Sequence, residues 1–322
     1  MSHAEPNRLE SPCGERLFRV APGVYRIALP TDFPVGDVNA YFIDGPEPVL
    51  IDTGVRGERT MSILASALKS IGAQLEQVRS VLLTHVHVDH AGAANAIRRA
   101  AGAKVHLHPF AHRRLVDVEA AHQAGIDWYR RFMVHSGFSD ALIERYMGVS
   151  GIFLEYAESC PKLSSVVTGD VIELGGGRRL VAHETFGHTA HHVAFVLEPD
   201  RILFSGDHLL PHITSNPTLE APAQPGEDKP RPLLLYRESL ARLARTSVVL
   251  ACPGHDLPFA DVANRCGELL HHQRQRCEQL LDVVIEAREI TRKDLSLALF
   301  GKVPLWEIYL TLSEVQAAVE LL

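Results

Sequence analysis

From about residue 17 the chain alternates short apolar runs with amphipathic ones. Leu17, Phe18 and Val20, then Val24, Tyr25 and Ile27, alternate with polar neighbours across Pro22-Gly23, which predicts a hairpin. Residues 39–43 and 48–52 read as two more strands around Gly45-Pro46. Met61, Leu64, Ala65, Leu68 and Ile71 keep helical spacing, ended by Gly72. A strand over 78–84, a small helix over 91–101 and a strand over 104–108 follow. Residues 110–165 show no clear strand but hold Trp128, Tyr129, Phe132, Met133, Phe138, Tyr146, Met147 and Phe153, which predicts a helical insertion. Strands resume over 166–174, 179–184, 193–197 and 201–205. Six prolines between 211 and 232 predict a long loop, followed by a helix over 233–245 and a strand over 248–252. From Val262 to Ile285 the apolar positions recur three and four apart, which predicts one long amphipathic helix. Thr291, with Asp294 three residues on, opens another, and a third starts near Pro304 or Ser313 and runs to the end. Strand-rich halves flanked by helices predict an α/β (α+β) chain of two mixed sheets with helices outside.

Composition narrows the classes. A chain of 322 residues, 46% hydrophobic and 22% charged, can bury a sizeable core. The net charge of −7 gives no general reason for nucleic-acid binding, and the arginine pairs are scattered. Five cysteines, Cys13, Cys160, Cys252, Cys266 and Cys277, are widely spaced with no CxxC, against both a disulfide framework and a thiolate zinc site. Residues 1–16 form a polar N-terminal tail without the apolar segment of a signal peptide, and no apolar run is long enough to span a membrane. A cytoplasmic protein with no membrane partner is the expectation.

Histidine changes the picture: 18 are present, several of them clustered. In Thr84-His85-Val86-His87-Val88-Asp89-His90 the rings of His85 and His87 are two apart at a strand end, so they can point the same way. Asp89 and His90 follow where the chain turns into a helix. Four such ligands within six residues cannot all reach one ion with relaxed geometry, but they can serve two neighbouring ions. Further ligands are needed from other strand ends. His188 in Thr185-Phe-Gly-His, Asp207 in Phe204-Ser-Gly-Asp and His255 in Cys252-Pro-Gly-His each follow a strand and a glycine. Each alone reads as an ordinary turn; three repeats beside the histidine run point to metal ligands.

The run Thr84 to Gly92, followed by His188, Asp207 and His255, resembles the metallo-β-lactamase fold superfamily over about residues 17–257. It is most similar to the hydrolase branch that includes glyoxalase II, lactonases and lactamase-like endoribonucleases. Ile51-Asp52-Thr53-Gly54 matches an early signature of the same group. The resemblance implies a four-layer αββα sandwich as the catalytic domain, 17–257, carrying the 110–165 insertion. It implies His85, His87 and His188 on a first metal ion, Asp89, His90 and His255 on a second, and Asp207 bridging them. Asp89 is the candidate catalytic residue, and Asp52 and His192 are candidates for the layer behind the ligands. Ala93, where a glycine often follows Gly92, and His191 depart from the pattern. Residues 258–322 resemble a small helical C-terminal domain found in some of these hydrolases. A winged-helix-like form is one option, although the chain stops where a wing would begin.

Two divalent ions, zinc first, with iron or manganese as alternatives, would acidify a shared water for hydrolysis. The leading expectation is cleavage of a thioester, ester or lactone in a small-molecule substrate. The alternative is a metal-dependent endoribonuclease, with a β-lactamase or iron-dependent oxygenase behind it. Trp128 and Phe132 of the insertion are candidates for a lid over the metals; helical packing or a dimer contact is the competing role. Lys229 and Arg231 are weaker candidates for touching a substrate carboxylate. Oligomeric state stays open, a homodimer among the options.

Overall fold

The computed structural model describes residues 16–222 and 230–322. The N-terminal tail, apart from Arg16, and Lys229 lie outside the described residues. The first sheet runs β1 (Leu17–Ala21), β2 (Val24–Leu29), β3 (Val38–Ile43), β4 (Val49–Ile51), β5 (Ser80–Leu82), β6 (Lys104–Leu107) and β7 (Ser164–Ser165), in chain order. Its first four strands pair antiparallel; β4 to β7 pair parallel through helical crossovers. The second sheet has the order β12-β11-β10-β9-β8, from β8 (Val171–Gly175), β9 (Arg178–Glu184), β10 (Val193–Glu198), β11 (Ile202–Gly206) and β12 (Leu250–Pro253).

Period-two alternation builds the layers. In β3, Val38, Ala40 and Phe42 face outward into a core shared with α1 (Glu58–Ser70) and α3 (Ala94–Ala101), whereas Tyr41 and Ile43 face the other sheet. In β10, Phe195 and Leu197 enter that same inter-sheet core, while Ala194 points to α7 (Pro232–Leu243) and α8 (Val262–Ala287). Helices, sheet, sheet and helices thus make the four-layer αββα sandwich.

The expected elements are present with shifted edges. The helix read from residue 91 starts earlier, as α2 (Val88–Ala91), a short piece separate from α3, so Asp89 and His90 are helical. The strand expected over 166–174 begins only at Val171, because Val167 N donates to Asp170 Oδ2 (2.9 Å) in a turn with Gly169 at φ 91°. Two-residue β7, inside the segment read as strandless, is too short and polar to show a period. The insertion forms α4 (His112–Val116), α5 (Val118–His135) and α6 (Asp140–Ser150), then a 3-10 turn at Gly151–Tyr156. Beyond α8, α9 (Arg292–Phe300) and α10 (Ile308–Leu321) complete the chain. The capping signal holds, Asp294 N donating to Thr291 Oγ1 at 3.1 Å. After β12 no strand occurs among the described residues, so the C-terminal region has helices and no wing.

Tyr129, Met133 and Ile143 of the insertion pack with Leu219, Ile308 and Leu312, and Phe132 lies under the Arg292 guanidinium at 5.6 Å. The insertion thus rests on the C-terminal helices, and Trp128 stacks on Phe132 at 5.5 Å within that contact. Arg231 donates to the Glu320 carbonyl near the end of α10.

Phe195 is fully buried between the sheets. Its replacement by alanine is expected to cost about 3–5 kcal/mol, read as a lowered denaturation midpoint with an unchanged denaturant slope.

Candidate metal centre

Four strand ends of the sandwich converge on one edge. The run after β5 carries His85 and His87, and α2 carries Asp89 and His90 on its first turn. His188 sits between β9 and β10, Asp207 directly after β11, and His255 two residues after β12. The two sheets are joined at this edge by an isolated bridge between Val38 and His255, with Asn39 N donating to the Gly254 carbonyl at 2.7 Å.

All seven expected site residues come together, in two groups: His85, His87, His188 and Asp207, and then Asp89, His90 and His255. His85 Nε2 and His188 Nε2 lie 2.9 and 3.1 Å from His87 Nδ1. His255 Nε2 lies 3.3 Å from Asp89 Oδ2. Asp207 reaches both groups: Oδ1 is 3.3 Å from His90 Nε2, and Oδ2 is 3.7 Å from His188 Nε2 and 3.6 Å from His255 Nε2.

The glycines before Asp207 and His255 have steric reasons. A Cβ on Gly254 would stand 2.2 Å from Asp207 Oδ1, and one on Gly206 2.6 Å from His192 Nε2. Gly206 also has φ 47°.

Four of the five inward-facing rings, all but His87, are held from behind. His90 Nδ1 donates to Asp52 Oδ2 at 2.8 Å. His85 Nδ1 donates to Thr84 Oγ1 (3.0 Å), which donates in turn to Asp52 Oδ2 (2.8 Å). His255 Nδ1 donates to the Asp37 carbonyl and His188 Nδ1 to the Asn216 carbonyl, both at 3.0 Å. These bonds keep the proton on Nδ1 and turn Nε2 of each of the four rings to the centre. The expected place of Asp52 behind the cluster is therefore occupied. His192 lies in the same layer, its ring 5.2 Å from that of His85, with Thr185 Oγ1 2.8 Å from Nδ1. His191 instead faces Glu220, 3.5 Å from its carboxylate.

Burial, with help from neighbouring rings, pushes His85 well below the usual imidazole range and His87 down to about 3. Burial also lowers His188. His90 is raised instead: burial opposes the charge, but the carboxylates of Asp207, Asp89 and Asp52 outweigh it. Burial would raise Asp89, yet His90 and His255 bring it down to about 2; the same two histidines hold Asp207 well below the usual carboxylate range. His255 is raised in the same way as His90, by Asp207 and Asp89 against burial. Ionised carboxylates and the neutral rings of His85, His87 and His188 are the donor states that a divalent cation takes, and His90 and His255 would reach that state by giving up a proton on binding.

The residues fit such cations. His90 Nε2 and Asp207 Oδ1 are buried, face each other, and have no hydrogen-bond partner, an arrangement that costs free energy unless a cation lies between them. Zinc–nitrogen bonds of about 2.0–2.1 Å put tetrahedral nitrogens about 3.3 Å apart, close to the spacing around His87 Nδ1. Either group could hold one ion, with Asp207 available to both.

A model of the metallo-β-lactamase superfamily matches residues 33–255. The chain belongs to this superfamily. Among curated relatives, the probable metallo-hydrolase YqjP of Bacillus subtilis (strain 168) is 28% identical over 93% of this chain and 92% of its own length. An atrochrysone carboxyl ACP thioesterase of Aspergillus fumigatus is 22% identical over 88% of this chain and 76% of its own. Among solved structures, a metallo-β-lactamase family protein of Thermus thermophilus aligns with a TM-score of 0.78 and 29% identity, covering 94% of both chains. This superfamily chain is a metal-dependent hydrolase, with a thioesterase among its relatives.

Sequence reasoning missed the supports that are backbone carbonyls, Asp37 and Asn216, because a carbonyl carries no residue-type signal. Thr84 stood inside the quoted run without a role. Glu220, buried with Arg114 at 3.4 Å, had no signal in a proline-rich loop.

Asp52→Asn removes one acceptor from the bonds that orient His90 and Thr84. Metal affinity is expected to fall about 10–100-fold, measured by chelator competition. A second expectation concerns acid. Burial would raise Glu220, but Arg114 and His191 hold it below the usual carboxylate range. A folded pKa below the unfolded one gives stability that is present above pH about 4.3 and lost as pH falls towards the folded value. Glu220→Gln should therefore lower the melting temperature at pH 7, and the gap to the parent should close on acidification below about pH 4.

Proposed function

We propose that this chain binds two divalent metal ions and hydrolyses a thioester, ester or lactone bond in a small molecule with an apolar portion. The observation that carries this reading is the Asp207 carboxylate, which reaches His188 on one side and His90 and His255 on the other. His85, His87 and His188 would hold one ion, Asp89, His90 and His255 the other, and Asp207 both. Zinc suits this set of imidazoles and carboxylates, with iron and manganese as alternatives. When bound, such ions supply Lewis acidity and lower the pKa of water to about 7.

The chain's own groups complete the chemistry. Asp89 stays ionised, so it can accept a hydrogen bond from the attacking water and orient it. His85, His87 and His188 stay neutral and keep their lone pairs on the centre, whereas His90 and His255, raised by the carboxylates they face, would give up a proton when a cation binds. Cys160, Cys252, Cys266 and Cys277 are buried with thiols pushed upward by burial, so none of them is an activated nucleophile.

Apolar surface lies beside this edge. Phe33 packs against Phe153 (5.8 Å) and Tyr156 (5.2 Å), and Val35, Ile152 and Phe153 are exposed. Both segments touch the site: Asp37 holds His255, and the Tyr156 carbonyl accepts from Arg56 N and sits 2.2 Å from a Cβ built on Gly92, just after α2. The end of the insertion, more than Trp128 and Phe132, therefore suits an acyl or ring portion of the substrate. The fungal thioesterase relative favours the thioester among these bonds.

The test offers acyl thioesters, lactones, β-lactams and single-stranded RNA to protein that has been stripped of metal and reloaded with zinc, iron or manganese. Hydrolysis of an acyl substrate should vanish on stripping and return on reloading. Pure protein without metal, whose hydrolysis is untouched by chelation, would sink the reading; cleavage of RNA alone would replace it with the nuclease. Phe153→Ala should raise KM about tenfold for long-chain acyl substrates and leave short-chain ones nearly unchanged.

A further inference from the structure

His188 is held differently from the other histidines of the cluster. His85 and His90 hang from Thr84 and Asp52, and His255 from the carbonyl of Asp37, all parts of the first sheet and its loops. His188 depends on a segment of the proline-rich loop. Its Nδ1 donates to the Asn216 carbonyl (3.0 Å), and its own carbonyl accepts from Thr218 N (2.9 Å) and Thr218 Oγ1 (2.5 Å).

That segment is unusual for a loop. Ser215, Thr218, Leu219 and Glu220 are all buried. A buried loop must satisfy its backbone polar groups, and here helix α10 does so. Leu219 N donates to Ser313 Oγ (3.1 Å), Tyr309 OH donates to the Leu219 carbonyl (2.8 Å), and Asn216 Nδ2 donates to the Leu310 carbonyl (3.3 Å). From α8, Arg265 donates to the carbonyls of Leu210 (2.8 Å) and Ile213 (3.0 Å).

We propose that Ser313 and Tyr309, acting through the 216–219 segment, are positioning residues for His188, so that the C-terminal helices set the affinity of the first metal position. The inference rests on the metal reading above. The Nδ1–H···O=C bond from His188 to Asn216 selects the tautomer whose Nε2 lone pair faces His87 and Asp207. Releasing Leu219 from α10 loosens Asn216 and Thr218 together, and with them the ring and the backbone of His188. The second group, Asp89, His90 and His255, has no hydrogen bond to this segment among the described residues.

The experiment compares the parent with the double variant Ser313→Ala/Tyr309→Phe. Val315→Ala serves as control, since Val315 is buried in α10 but packs towards α8 and α9 rather than the loop. Cobalt titration against a competing chelator reads the two affinities separately, thermal melting reads stability, and imidazole nitrogen NMR of the metal-free protein reads the His188 tautomer. The double variant should lose about tenfold or more in one affinity and keep the other. The control should lose stability and keep both. In the metal-free double variant, His188 should no longer be a single Nδ1–H tautomer. Equal loss at both positions, loss that simply tracks stability in both variants, or an unchanged tautomer would overturn the proposal. A parent that takes up no cobalt, with the tautomer change intact, would overturn the metal reading while leaving the positioning of His188 standing.

Discussion

The buried carboxylate of Asp52 accepts hydrogen bonds from the backbone and hydroxyl of Thr84 and from the ring of His90. It sits just past the end of β4, with φ 57°, and its own N–H donates to the Leu82 carbonyl at the end of β5. Next to it, Thr53 donates from both N and Oγ1 to the His90 carbonyl. A buried carboxylate of this kind is tolerable only when its lone pairs are occupied. Satisfying it bends residues 84–90 back towards β4, and that bend turns His85 and His90 towards a common point. The geometry of the first sheet's contribution to the site therefore follows from one desolvated acid.

The second sheet contributes by a different means. Asp207 and His255 leave adjacent parallel strands, β11 and β12, next to glycines that clear room for side chains rather than only for a turn. A Cβ at Gly254 would occupy the space of the Asp207 carboxylate, so approach of the two strand ends and approach of the carboxylate to both histidine groups are one requirement. Charge follows geometry. The acids are kept ionised by His90 and His255, which they raise in turn, and His85, His87 and His188 are kept neutral by burial, so the first group is ready for a cation as it stands while the second would release protons on binding.

The C-terminal helices and the insertion form a third structural unit around this edge. Tyr129 meets Tyr309 at 5.3 Å, Ile143 shares a cluster with Leu312, and the 216–220 segment is sandwiched against both. Arg114 of α4 and His191 both face Glu220, which ties the insertion, the loop and the second sheet through one buried acid. Such a unit gives the end of the insertion, Ile152 and Phe153, a fixed base while leaving its apolar side chains exposed.

Much of this was written in local pattern. The two-residue period of the strands, the three-four spacing of α8 and the spacing of His85, His87, Asp89 and His90 are set by backbone geometry over a few residues, so sequence alone determined the layers and the ligand types. The recurrence of glycine before His188, Asp207 and His255 likewise marked the strand ends that meet. What only the tertiary structure decided lies in contacts between residues far apart in the chain: that Asp207 faces both histidine groups, that carbonyls of Asp37 and Asn216 orient His255 and His188, and that Trp128 and Phe132 pack with the C-terminal helices while Phe33 and Phe153 meet beside the site. Backbone carbonyls have no residue identity, and an aromatic side chain has the same local signature whether it faces a helix or a substrate. Their roles depend on which distant segments the fold brings against them.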